Sequence, residues 1–117
     1  MTRIAKTSTT YLKFINLVNS LKDLPTFPSL DALETRLINV LATAWQQGTK
    51  VSILDAINMI PDISYSTVHG RIKDLKDKGM IDVEIDAHDK RIKYVVPTKK
   101  TNYYFEKMGE CLIKAQR

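Results

Sequence analysis

The sequence predicts a mainly α-helical fold carrying a small β-hairpin. Three observations predict it. Apolar residues recur at helical spacing in several separate stretches. The stretch Ser64 to Lys78, S-Y-S-T-V-H-G-R-I-K-D-L-K-D-K, reads as a helix with one polar face, closed by Gly79. After it, Ile81, Val83 and Ile85 alternate with Asp82 and Glu84, the period-two pattern of a half-buried strand. A short polar-faced helix followed by a charged hairpin can read duplex DNA, with the helix in the major groove and the hairpin tip on the neighbouring backbone or minor groove.

The elements follow in order. Residues 8–22 form a first helix, with Ser8, Thr9 or Thr10 as caps and Tyr11, Phe14, Ile15, Val18 and Leu21 on one face. Pro25 and Pro28 make residues 23–29 a bend. Residues 30–47 are the clearest helix. Asp31 and Glu34 have capping-box spacing, Leu33, Leu37, Val40, Leu41, Ala44 and Trp45 make an apolar stripe, and Gly48 ends it. Val51 suits a one-residue strand pairing with the later hairpin. Ser52 caps a short helix whose Ile53, Leu54, Ile57 and Ile60 face inward and which Pro61 stops.

In the helix from Ser64, spacing of 100° per residue puts Tyr65, Val68, Ile72 and Leu75 on the buried side. The opposite side carries Ser66, Gly70, Lys73 and Asp77, flanked by Thr67, His69 and Asp74. Residues 80–85 and 92–96 are the strands, joined by A-H-D-K-R, and Pro97 ends the second. A last helix runs from Thr98 or Thr101 to Ala115, with Tyr104, Phe105, Met108, Cys111, Leu112 and Ala115 on its apolar side.

Composition bounds the function. The 117 residues fit one domain with flanking arms, and 44% apolar content fills one modest core. A net charge of +5 and a pI near 9.4 favour an anionic partner. No uncharged apolar run approaches the roughly 20 residues of a spanning helix, so no membrane role is expected. The first ten residues lack the pattern of a secretory signal, and a cytoplasmic setting is expected. The single cysteine, Cys111, allows no internal disulfide and no cysteine-based metal site, and is expected to be a buried, inert thiol. His69 and His88 have no ligand-like neighbours, so neither metal nor cofactor is expected. With no phosphate loop, nucleophilic constellation or paired carboxylates, catalysis is not expected either.

The order of helix, helix, recognition-type helix, two-stranded wing and terminal helix resembles a winged helix-turn-helix domain of the MarR type. The run S-T-V-H-G-R-I-K-D-L-K-D-K-G-M-I is similar to that family's recognition helix entering the wing. In D-K-R-I-K-Y-V-V-P-T, Asp89, Arg91 and Thr98 fit the family's wing pattern, with Pro97 in place of a Leu. The resemblance covers residues 30–100, and the C-terminal portion is shorter than the family's usual dimerisation arm. It divides the chain into an N-terminal helical arm (1–29), a winged DNA-binding domain (30–100) and a C-terminal helix (101–117), both ends being candidates for dimerisation.

The DNA-binding candidates are Ser64, Ser66, Thr67, His69, Gly70, Arg71 and Lys73 on the helix and Lys90, Arg91 and Lys93 on the wing. Lys99 and Lys100 add positive charge nearby. Hydroxyls and amines on one helix face can bond phosphates and base edges, and a guanidinium suits a narrow minor groove or a phosphate pair. The resemblance implies that Asp89 orients Arg91 through a salt bridge. Tyr11, Phe14, Val18, Tyr104, Phe105, Met108 and Leu112 are the dimerisation candidates.

The expected function is sequence-specific binding of double-stranded DNA by a homodimeric transcriptional regulator, a repressor. The resemblance also implies a possible small-molecule effector, bound near Trp45, Phe14 and the last helix. Two alternatives stand beside it. One is a plasmid or phage replication, partition or architectural DNA-binding factor. The other is a winged protein-interaction module, for which Asp74, Asp77, Asp82, Glu84 and Asp86 would suit. Salt-dependent DNA binding that weakens on Arg91→Ala or Lys73→Ala separates the first two from the third.

Overall fold

The computed structural model describes residues 5–117; the first four residues of the N-terminal arm lie outside this range. The described elements are α1 (Lys6–Lys22), α2 (Ala32–Gln46), β1 (Val51–Ser52), α3 (Ile53–Asn58), α4 (Tyr65–Asp77), β2 (Ile81–Ile85), β3 (Lys93–Pro97) and α5 (Lys99–Ala115). The chain divides into two compact units. One is continuous, residues 30–101. The other combines residues up to Ser29 with those from Asn102 onward.

In the continuous unit, local chemistry sets each boundary. Asp31 accepts the Glu34 amide at 2.7 Å while the Glu34 carboxylate accepts the Asp31 amide at 3.0 Å, a reciprocal box that starts α2. Ser52 and Asp55 repeat the device for α3. Gly48 and Gly79 adopt φ of +78° and +76°, the left-handed turn that ends α2 and follows α4. The turn at Gly79 is secured from outside. Its carbonyl accepts the Thr98 hydroxyl at 2.7 Å, and the Lys78 carbonyl accepts the Lys100 ammonium at 2.7 Å. The buried Thr101 hydroxyl donates to the Met80 carbonyl.

The sheet has strand order β1-β3-β2 and is antiparallel throughout. The strand expected at Val51 extends to Ser52 and pairs with the hairpin, Val51 opposite Val95, while Val83 pairs with Val95 from the other side. The core beneath it contains Leu37, Ile38, Leu41, Ile57, Ile60, Val68, Ile72, Leu75, Met80 and Ile81. Trp45 is partly buried and donates its indole N–H to the Val95 carbonyl at 3.0 Å.

The core also holds a charge. Glu34 is 2% exposed, and its carboxylate oxygens lie 2.7 and 2.8 Å from the Lys78 ammonium, just past the end of α4. This pair ties the first turn of α2 to the end of the polar-faced helix. Sequence periodicity places Glu34 in the capping box but gives no sign of its partner.

Four apolar expectations are corrected. Leu54 is 57% exposed because α3 has only six residues and turns its first-turn Leu outward. Tyr65 is 60% exposed because it is the first residue of α4, ahead of the turns that Val68, Ile72 and Leu75 press into the core. Ile85 is 60% exposed because the hairpin runs past the core that covers Ile81. Leu112 is 54% exposed although it lies on the helix that buries Tyr104, Cys111 and Ala115.

In the other unit, α1 begins at Lys6, two residues earlier than Ser8. Its cap is Ala5, whose side chain offers no cap bond. The expected capping threonines instead point back along the helix, Thr9 and Thr10 donating to the carbonyls of Ala5 and Lys6. Val18, Phe27, Tyr104 and Cys111 are buried, and the Phe27 and Tyr104 rings stack at 5.4 Å. Lys13 donates to the Arg117 carbonyl at 2.9 Å, joining the two helices at one end.

Candidate nucleic-acid interface

The polar face of α4 is exposed because the opposite face is committed. Val68 and Leu75 are fully buried and Ile72 nearly so. At 3.6 residues per turn this leaves Ser66, His69 and Lys73 exposed and Gly70 half-exposed. A Cβ at position 70 would meet nothing within 4 Å, so the backbone there is open to close approach. Ser64 caps the helix, accepting the Thr67 amide at 3.3 Å and bonding its hydroxyl at 2.8 Å. These two hydroxyls thus serve the helix start as well as presenting polar oxygen.

Arg71 is engaged differently from its neighbours. Its Nε lies 2.8 Å from the Asp31 carboxylate and its Nη1 3.4 Å from that of Asp74. The half-buried guanidinium therefore ties α4 to the cap of α2. As a groove contact it would have to leave two carboxylates.

The wing is ordered by two aspartates. The Asp86 carboxylate accepts the His88 and Asp89 amides, each at 2.9 Å, and the Tyr94 hydroxyl at 3.0 Å. This is an Asx turn with a cross-strand lock. Those three donors, the His88 amide foremost, hold the Asp86 carboxyl below its ordinary range. Tyr94 is correspondingly raised, chiefly by its bond to Asp86. Lys50 completes the cluster, its ammonium 5.2 Å from the Tyr94 ring centre. In the loop sequence D-A-H-D, Asp86 is the residue whose Asx-turn role the spacing signals.

Asp89 pairs with Arg91 at the wing tip. One carboxylate oxygen accepts the Arg91 amide and Nε, each at 3.0 Å, and the other accepts Nη2 at 3.0 Å. The Arg91 side chain is nevertheless 90% exposed. A solvated pair of this kind adds little to stability. Its consequence is geometric, since it fixes where the charge points at the tip of the hairpin. Lys90 and Lys93 are exposed beside it.

The Asp86 lock carries a pH prediction. A carboxyl whose folded pKa is depressed stabilises the fold above its unfolded pKa, about 3.9, and that contribution disappears as pH falls through the folded value. Wing order should therefore decline below about pH 4, followed as the loss of His88 and Asp89 amide dispersion by NMR. Asp86→Ala should produce the same loss at neutral pH.

No protein-family model matches the chain, and no curated protein matches it. Solved structures do. PefR from Streptococcus agalactiae, a heme sensor protein in complex with heme, superposes with a TM-score of 0.62 at 23% identity, covering 89% of this chain and 65% of that one. The S. aureus MepR–DNA complex gives 0.66 at 15% identity, covering 91% and 71%. The transcriptional regulator Tm0710 from Thermotoga maritima gives 0.61 at 18%, covering 90% and 66%. The chain thus spans about two thirds of the length of these proteins. Among the described residues, five helices and a three-stranded antiparallel sheet, together with this superposition, establish that the chain has the MarR-type winged-helix fold.

Proposed function

We propose that the chain is a non-catalytic, sequence-specific regulator of transcription that binds double-stranded DNA as a homodimer. One observation carries the reading. A guanidinium that is 90% exposed is paired to Asp89 through two contacts at the wing tip, on the fold whose α4 leaves Ser66, His69 and Lys73 exposed and Gly70 half-exposed. A solvated positive charge beside an exposed polar helix face suits the phosphates and groove edges of a duplex. MepR, with the same fold, has been solved on DNA.

Dimerisation rests on the helical unit. Tyr11 and Leu112 are 61% and 54% exposed, joined by Leu12 and Ile113, whereas Val18 and Tyr104 are already buried. Tyr11 and Leu112 are therefore the most exposed members of the candidate set, with Phe14, Phe105 and Met108 half-buried. A small-molecule effector is a further part of the proposal. Between α1 and α5 lies a groove of about 360 Å³, with Leu17, Leu21, Leu24 and Tyr103 as apolar walls and Lys114 at the edge. PefR is the precedent for a ligand on this fold.

Fluorescence anisotropy with a labelled duplex across a salt series tests DNA binding itself. A protein that neutralises Z phosphates shows a log–log slope near −0.9Z, so a steep negative slope is expected. Lys73→Ala should make it shallower by about one. Absence of duplex binding even at low salt would contradict the proposal.

A further inference from the structure

The exposed aromatic at the start of α4 has no place in the core and none in the capping of the helix. Tyr65 is the first residue of α4, and 60% of its surface is accessible. Its ring lies nearly parallel to the His69 imidazole one turn on, with centroids 6.0 Å apart and planes 10° apart. A large exposed tyrosine ordinarily loses rotamer freedom on binding, and a ring that already lies against a neighbour has less to lose. Among the described residues its hydroxyl has no hydrogen-bond partner.

The neighbouring chemistry narrows its use. The flank of α4 bearing Thr67, Arg71 and Asp74 is occupied, Thr67 by Ser64 and Arg71 by Asp31 and Asp74. The other flank carries Tyr65, His69 and Lys76, all exposed. Between them Gly70 leaves a low point in the surface beside the aromatic pair. Residues at the N-terminal end of a recognition helix are those that reach base edges. On the major-groove edges, the apolar feature that an aromatic side chain can meet is the 5-methyl group of a pyrimidine.

Resting on the DNA-binding reading above, we infer that the Tyr65–His69 stack is a specificity-determining element that packs on the 5-methyl group of a pyrimidine in each half-site, thymine in unmodified DNA. His69 acts here as the positioning residue, holding the Tyr65 ring, and Lys73 and Arg91 supply charge without reading this group.

Methyl deletion in the DNA tests this. With a duplex selected by the wild-type protein, each thymine of a half-site is replaced in turn by deoxyuridine, and affinity is measured by anisotropy for wild type, Tyr65→Ala and Tyr65→Phe. One replacement should weaken wild-type binding about fourfold, the worth of one buried methyl. Tyr65→Ala should bind the original duplex more weakly, show no further loss on that replacement and keep the wild-type salt slope, because no charge has been removed. Tyr65→Phe should retain the methyl dependence. A cytosine at the critical position should bind weakly, and 5-methylcytosine there should recover part of the loss. The inference is overturned if wild type is indifferent to every replacement, or if Tyr65→Ala keeps the methyl dependence. Failure of the wild-type protein to bind any duplex would overturn the DNA-binding reading and this inference with it, whereas tight binding without methyl dependence overturns this inference alone.

Discussion

Replacing Lys78 with Met should destabilise the continuous unit by about 3 kcal/mol. The Glu34 carboxylate is the reason. It is almost wholly enclosed, while the Lys78 side chain remains 38% exposed. The two partners are therefore unequal. Without the carboxylate, the ammonium can turn toward water; without the ammonium, the carboxylate stays buried with only the Asp31 amide among its bonds described here. Breaking a buried pair by removing one charge costs about 3–5 kcal/mol, and the partial exposure of Lys78 argues for the lower end. Adding Glu34→Gln to Lys78→Met should then recover at least about 1 kcal/mol, because the stranded charge is gone. Urea unfolding of the wild type, both single variants and the double variant measures the coupling. Additive losses would show that the pair does not act as a unit. The pair links the start of α2 to the end of α4, so its loss should also loosen the placement of the polar-faced helix.

Arg91→Ala should lower affinity for a specific duplex about tenfold while leaving the unfolding free energy close to that of wild type. The two readouts separate because the Asp89–Arg91 pair is solvated and contributes little to the fold. Asp89→Asn makes a sharper comparison. It keeps the Arg91 charge but weakens the two-point grip that fixes its direction. If orientation matters, Asp89→Asn should lose part of the affinity even though the protein becomes more positive. If only charge matters, it should bind more tightly. The salt slope discriminates further: Arg91→Ala should make it shallower, and Asp89→Asn should not.

Much of this was legible in the sequence, and the residues show why. Asp31 with Glu34, Ser52 with Asp55, and the glycines at 48 and 79 act within one turn of their own positions, so local chemistry reveals them. Val51 as a strand followed from its place between a helix stop and a helix cap. The Asp89–Arg91 pair lies two residues apart and came with the wing pattern. Apart from the local Asp86 turn, much of what escaped was non-local or terminal. Glu34 and Lys78 are 44 residues apart, and no periodicity pairs them. Tyr65, Leu54 and Ile85 stand at the ends of their elements, where the angle that places a residue on a face is right but nothing packs over it. Arg71 illustrates a third case. Its type and position suit a groove, and only the folded chain shows Asp31 and Asp74 around it.

If α4 and the wing together read duplex DNA, selection from a randomised duplex library, run in parallel with the wild-type protein and Arg91→Ala, should reveal it. The wild type should enrich a two-fold symmetric motif with half-sites about one helical turn apart, and Arg91→Ala should enrich it more weakly. Absence of any enriched motif, with weak binding that Arg91→Ala leaves unchanged, would contradict that reading and make the winged unit a protein-docking module.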